Sequence, residues 1–257
     1  MDAPTRKCAF CSSISNLTRE HVFPNSVLKR FEDMLSLNDK SDKYFKADLV
    51  VKDVCGICNN GVLSDLDSKF IKVFDEYMHE PILPGDSASF SFDYNDLLRE
   101  LLKITYNSAR ASSDGIKAVK ILKKYVPYIL GKVNSAPDVM LRLQIVTSSK
   151  KLNTSTNEIE GMMEAKILRN GKIPYDGAQK SNFIVRLVAF NSFWFYIIIP
   201  TKKVSTGKRQ AFLDGFKNWK IRPGIALDAS MNSLTIPVEK TTYMHPDLLQ
   251  SMIRKNA

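Results

Sequence analysis

The sequence predicts an α+β protein built in two parts, and three observations carry that prediction. All four cysteines fall in two C-x-x-C pairs, Cys8/Cys11 and Cys55/Cys58; the first 80 residues differ in charge from the rest; and helical and strand-like periodicities alternate along the 257 residues. With 44% hydrophobic residues, the chain has enough apolar material to bury one large or two modest cores.

From Lys7 to Phe31 the sequence is turn-rich, with "EHVF" as a short strand and "NSVLKRFEDML" as a helical insertion capped by Asn25. A polar loop, "SLNDKSDKYFK", leads to "ADLVVKDV", which alternates as a second strand. Leu63, Leu66, Phe70, Val73 and Phe74 then recur at helical spacing. The order is therefore strand, long loop, strand, helix. "PILPGDSASF" reads as a linker, because Pro81, Pro84 and Gly85 end both the helix and the charge pattern, and it sets a division into residues 1–80 and 81–257.

Beyond the linker, "YNDLLRELLKITYNSARAS" and "DGIKAVKILKKYVPYILG" read as two amphipathic helices, the first with an apolar face of Leu97, Leu98, Leu101, Leu102 and Ile104. Strand-like runs follow at "VMLRLQIVTS", "GMMEAKILRNG" and "FIVRLVAFNSFWFYIIIP", the last a hairpin turning at Asn191-Ser192. A helix around "KRQAFLDGFKNW" completes the pattern. Trp194, Phe195 and Tyr196 read as sheet core rather than a base-stacking platform.

The cysteine spacing is the most specific chemical signal. Two C-x-x-C knuckles with no cysteine left over suit a closed tetrahedral Zn²⁺ site, whereas a thioredoxin-like redox centre needs one pair at a helix start. Zinc binding in small domains contributes on the order of 10–16 kcal/mol, enough to hold a segment whose own core is small. No stretch reaches the roughly 18–20 apolar residues of a membrane span, and "MDAPTRKCAF" has no apolar signal region, so a cytoplasmic location without membrane association is expected. The sequons at Asn16 and Asn153 carry no weight in that setting.

The net charge is +10 and the pI about 9.3, which points to an anionic partner, nucleic acid first. Residues 1–80 hold 11 Lys+Arg against 13 Asp+Glu, so all the excess positive charge lies beyond them. Candidate phosphate contacts are Lys103, Arg110, Lys117, Lys120, Lys123 and Lys124 on the two basic helices.

Between the knuckles stands Glu20-His21, with Pro24 three residues on, and directly after the second knuckle stands Asn59. This arrangement, C-x-x-C … E-H-x-x-P … C-x-x-C-N, resembles the zinc-containing HNH endonucleases of the ββα-metal superfamily, over residues Cys8 to about Asp67. The resemblance implies a zinc-stabilised ββα-metal domain ahead of a basic α+β domain that binds substrate or partner. It implies that His21 is the general base, Glu20 the acidic ligand of a catalytic Mg²⁺ or Mn²⁺, and Asn59 the last ligand, with DNA hydrolysed to 5′-phosphate and 3′-hydroxyl ends. Imidazole titrates near neutral pH and can take a proton from water, while carboxylate and amide oxygens are hard ligands suited to these ions. Pro24 then ends the strand.

"ADLVVKDVC" lacks the Asn or His that braces the base in many HNH proteins, which leaves Asp48, Asp53 or the backbone for that task, and 33 residues separate His21 from Cys55. Asp65 and Asp67 read as helix-dipole partners, His79 as a helix terminus and His245 as a loop residue. Free-standing HNH proteins point to host defence or mobile-element biology. The rival expectations are a non-catalytic zinc-knuckle module that binds nucleic acid or protein, and an RNase or toxin effector with RNA as substrate; a regulatory protein partner or self-association is compatible with each.

Overall fold

The computed structural model describes residues 6–31, 36–38, 43–45, 49–112, 116–153, 156, 158–173, 177–215 and 224–238. Among them the chain is α+β, as the periodicities predict.

The N-terminal part begins with β1 (Leu17–His21), which reaches Pro24 and turns into α1 (Asn25–Leu28). The extended backbone of Pro24, not Asn25, provides the N-cap, so Asn25 is the first helical residue rather than the cap. The predicted polar loop contains a short hairpin, β2 (Ser36–Asn38) with β3 (Lys43–Phe45). β4 (Val50–Cys55) then pairs antiparallel with β1, aligning Leu17 with Cys55 and His21 with Val50, with an irregularity between Thr18 and Glu20. Gly56–Cys58 forms a single turn, α2, followed by a widened turn and by α3 (Ser64–Val73), which buries Leu66 and Phe70 behind Leu63. The strand, loop, strand, helix order is thus present.

Farther along the chain, α4 (Tyr94–Ala111) is capped by Asp93, whose carboxylate accepts the Asp96 N–H at 2.8 Å. The second predicted helix is interrupted: α5 (Ile116–Leu122) passes through a 3₁₀ turn into α6 (Val126–Ile129), where Pro127 occupies the first turn.

The chain divides into two compact units that interleave in sequence. The described residues up to Glu76 group with Phe92–Val139, and Tyr77–Ser91 groups with the described residues from Met140 onward. A single boundary near residue 80 therefore does not describe the packing: α4 belongs with β1, β4 and α3, because its buried face lies against them.

The second unit contains β5 (Ser87–Ser91), β6 (Met140–Ile145), a two-stranded arm of β7 (Ser149–Leu152) and β8 (Ile159–Met163), then β9 (Leu168–Ile173), β10 (Phe183–Phe190), β11 (Phe193–Pro200), α7 (Thr206–Gly215), β12 (Ile225–Leu227) and β13 (Ser233–Pro237). Five strands form an antiparallel sheet in the order β12-β6-β11-β10-β9, and β13 pairs with β5. "PILPGDSASF" is therefore no free linker, since it runs into a paired strand. The run "GMMEAKILRNG" divides between β8 and β9, which join different sheets. The hairpin turns at Asn191-Ser192 as expected, with Asn191 at φ 49° and its side-chain amide donating to the carbonyls of Met78 and His79. Trp194 and Tyr196 are buried in an apolar cluster with Phe183 and Phe212. No helix among the described residues is long and apolar enough to cross a membrane.

Candidate metal centre

The two knuckles converge because β1 and β4 are paired: the partner of Leu17 is Cys55, and Ala9, inside the first knuckle, donates its N–H to Asp53 O at 2.8 Å. The four thiol sulfurs, of Cys8, Cys11, Cys55 and Cys58, lie within 4.8 Å of one another. Four thiolates around one Zn²⁺ at about 2.3 Å stand about 3.8 Å apart, so this cluster fits a zinc ion. Its backbone is already arranged for thiolates. Ser12 takes a left-handed φ of 63° and donates its N–H to Cys8 O, while the N–H groups of Cys55 and Cys58 point at Cys8 Sγ and Cys55 Sγ at 3.3 and 3.5 Å. Burial pushes the Cys55 thiol up, but the Cys58 N–H and the hydrogen bonds from Ser13, Cys11 and Cys8 outweigh it and bring it down to about 6. The Cys58 thiol is raised, first by burial and then by its neighbouring thiols. Three of the cysteines are buried and Cys11 is the most open.

Next to this cluster, Asn59 follows Cys58 directly. Its side-chain amide donates to Thr18 Oγ1 and to Arg19 O, each at 2.8 Å, so it clamps the start of the helical segment onto β1 one residue from Glu20. Its remaining oxygen is the atom it can offer to a cation. Glu20 is 5% exposed, and its carboxylate faces the Lys103 ammonium at 3.7 Å. His21 is half-buried at the end of β1, with Nδ1 shielded from solvent.

The residues that surround this pair come mostly from α4. Glu100, Lys103, Asn107 and Arg110 recur at i, i+3, i+7 and i+10, which is one helical face. Asn107, wholly buried, donates to His21 O at 3.1 Å and accepts from Arg110 Nη2 at 2.9 Å. The Arg110 guanidinium lies over the rings of Tyr106 and Phe10, 4.5 and 5.1 Å from their centroids, and pairs with Asp53 at 3.4 Å. It thereby fastens the first knuckle to α4. Lys103 is 0% exposed and pairs with Glu20, with Glu100 at 3.1 Å, and with Asp67 of α3.

These positions correct two expected phosphate contacts. Lys103 and Arg110 are buried, each paired with carboxylates inside the unit, so neither head group can reach a nucleic-acid backbone. Lys117, Lys120, Lys123 and Lys124 are exposed on α5 and the turn after it. Asp53, one option for bracing the base, is held by Arg110, and Asp48, the other, lies outside the described residues. Asn107 reaches the His21 backbone instead. Asp67 is an ion-pair partner of Lys103 rather than only a helix-dipole acid.

Burial governs the charges in this cluster. It pushes the Glu100 carboxyl well above the ordinary carboxylate range, with repulsion from Glu20 adding to the shift. Glu20 also rises through burial, opposed chiefly by Lys103. Burial draws the Lys103 ammonium down to about 8 against the attraction of Glu20.

Comparison with protein-family models, with curated proteins and with solved structures gives no match to this chain.

Proposed function

We propose that the chain is a metal-dependent nuclease of the HNH type that hydrolyses phosphodiester bonds in DNA, with His21 as general base. The observation that carries this reading is the antiparallel pair β1–β4, tied at one end by four clustered cysteines and followed directly by a helical segment, with Glu20-His21 on the first strand and Asn59 at the start of that segment. A module that only binds nucleic acid needs zinc and positive charge, but not an acid and an imidazole on one strand with an amide fastened beside them.

In this reading Glu20 and Asn59 hold a Mg²⁺ or Mn²⁺ through oxygen. Bound there, the ion supplies charge stabilisation for the phosphate and for the leaving 3′-oxygen. With Nδ1 shielded, His21 takes the proton of the attacking water at Nε2, and the resulting hydroxide attacks phosphorus in line. Asn107 keeps the end of β1, and so the imidazole, in register by holding the His21 carbonyl. Lys117, Lys120, Lys123 and Lys124 supply charge for the substrate backbone from the same compact unit. Context in host defence or mobile-element biology remains part of the proposal through the resemblance alone.

A second reading is favoured by the partners that Glu20 and Asn59 already have. Lys103 neutralises the one, and the Thr18 hydroxyl and the Arg19 carbonyl occupy the N–H₂ of the other, as in a purely structural zinc module. Incubating purified protein with supercoiled plasmid and with structured RNA, in Mg²⁺, Mn²⁺ or EDTA, separates the readings. Cleavage of DNA that requires the divalent ion and disappears in His21→Ala supports the nuclease; cleavage of RNA alone moves the site to the RNase alternative; and binding without cleavage supports the module.

A further inference from the structure

The cluster around Lys103 gathers three acids on one cation. Glu20, Asp67 and Glu100 converge on a single ammonium, and Lys103 is their only cationic partner among the described contacts at that point. Three carboxylate oxygens inside it are poorly served. Both Glu100 oxygens are buried without a hydrogen-bond partner among the described residues, Oε1 having only its ion-pair contact with Lys103, and Glu20 Oε1 stands 3.7 Å from Lys103 Nζ, beyond hydrogen-bond reach. Glu100 is itself 0% exposed, so water cannot compensate for the missing donor.

From this geometry we infer that Asp67 joins Glu20 as a carboxylate ligand of the divalent cation, and that Lys103 occupies the cation's place until the ion arrives. Lys103 and Glu100 lie one turn apart on α4, 3.1 Å from each other, so a Glu100 oxygen can accept the ammonium when it leaves the acid pair. Once Lys103 withdraws to Glu100, Glu20 and Asp67 are left with two negative charges, which one Mg²⁺ or Mn²⁺ neutralises. Both ligands are hard oxygen donors on different elements, β1 and α3, which suits an ion that keeps several open positions. The Asp67 side chain is 25% exposed, against 7% for Glu20, so the ion enters from the α3 side.

This inference rests on the nuclease reading for the task of the ion, but its test reads binding directly. Mn²⁺ is titrated into the zinc-loaded full chain carrying His21→Ala, with free Mn²⁺ followed by electron paramagnetic resonance. One Mn²⁺ per chain beyond the zinc is expected. Asp67→Asn, an isosteric change at a partly exposed position, weakens it at least tenfold, and Lys103→Met, which removes the competing cation, tightens it by about tenfold. Zinc content and thermal melting of each variant certify the fold. Unchanged Mn²⁺ affinity in folded Asp67→Asn overturns the inference, as does the absence of any bound Mn²⁺ in the parent. A Lys103→Met protein that binds Mn²⁺ no more tightly also overturns the exchange of cations. Parallel cleavage assays with His21 intact keep the two claims apart: Asp67-dependent Mn²⁺ binding without cleavage of DNA or RNA retains the site and rejects the nuclease, whereas cleavage with Mn²⁺ binding indifferent to Asp67 does the reverse.

Discussion

The side-chain amide of Asn107, toward the C-terminal end of α4, donates a 3.1 Å hydrogen bond to the backbone carbonyl of His21, 86 residues earlier in the chain. The strand that carries the acid–histidine pair is thus held by a helix outside the motif that draws attention to it. Replacing Asn107 with Ala leaves the His21 carbonyl and the Arg110 guanidinium each short of a buried partner, which costs about 1–3 kcal/mol. The variant should melt at a lower temperature while retaining its zinc. A melting temperature equal to that of the parent would mean that α4 does not brace the strand.

The same relationship reverses an expectation about fragments. By charge and motif alone, residues 1–80 should fold with zinc and bind DNA poorly. In the structure Glu20 is buried against Lys103, and the first knuckle is fastened by Arg110, both from α4. A fragment ending at residue 80 leaves that carboxylate without its cation and exposes the side of β1 and α3 that α4 covers. Hydrogen exchange should find the β1 amides slow in the full chain and fast in the fragment, even where the fragment retains zinc. Equal protection would restore the simpler division of the chain.

The cysteine cluster predicts one Zn²⁺ per chain, held by Cys8, Cys11, Cys55 and Cys58. Elemental analysis of protein purified without chelator should return that ratio. Cys55→Ser should lose the metal and destabilise β1 and β4, since closed zinc sites of this kind contribute folding energy outright. Well-folded protein with no zinc would remove the metal from the account.

Glu100 sets a pH dependence. Burial holds its carboxyl well above the usual range, so from about pH 4.3 up to its folded-state value the folded chain keeps a proton that the unfolded chain releases. Its contribution is full below that window and is lost as the pH rises, at up to about 1.4 kcal/mol per pH unit. Urea midpoints of the parent should therefore fall between pH 5 and pH 7 relative to those of Glu100→Gln, which cannot titrate. Parallel midpoints would show that Glu100 ionises as an ordinary carboxylate.

Lys117, Lys120, Lys123 and Lys124 remain as candidate phosphate contacts once Lys103 and Arg110 are withdrawn. If all four touch phosphate, the slope of log K against log salt should be about −3.6, and Ala at Lys120, Lys123 and Lys124 together should flatten it by about 2.7. A salt titration of DNA binding by His21→Ala protein measures both, and an unchanged slope in the triple variant would take this surface out of the DNA path.

What could be read in the sequence was local. The C-x-x-C spacing, the alternation of β4 and the period of α3 are set within a few residues, and they predict the cysteine cluster and the order of elements around it. The Asn191-Ser192 hairpin was legible for the same reason. The role of α4 was not, because Lys103 and Arg110 look like the exposed charges of an amphipathic helix until Glu20 and Asp53, far away in sequence, are placed against them. The one local sign was the recurrence of Glu100, Lys103, Asn107 and Arg110 along a single face, polar residues in register within a helix that is apolar on its other sides. β5 and β13 escaped notice because each is short and finds its partner only across the chain.

The central claim is that His21 acts as a base in metal-dependent phosphodiester hydrolysis. Its most direct test is cleavage of supercoiled plasmid by wild-type and His21→Ala proteins prepared side by side, with Mg²⁺ or Mn²⁺ and with EDTA. The account predicts cleavage by the wild type only when a divalent ion is present, and none by His21→Ala despite equal zinc content and equal DNA binding. Undiminished cleavage by His21→Ala, or none by the wild type under any of these conditions, would contradict it.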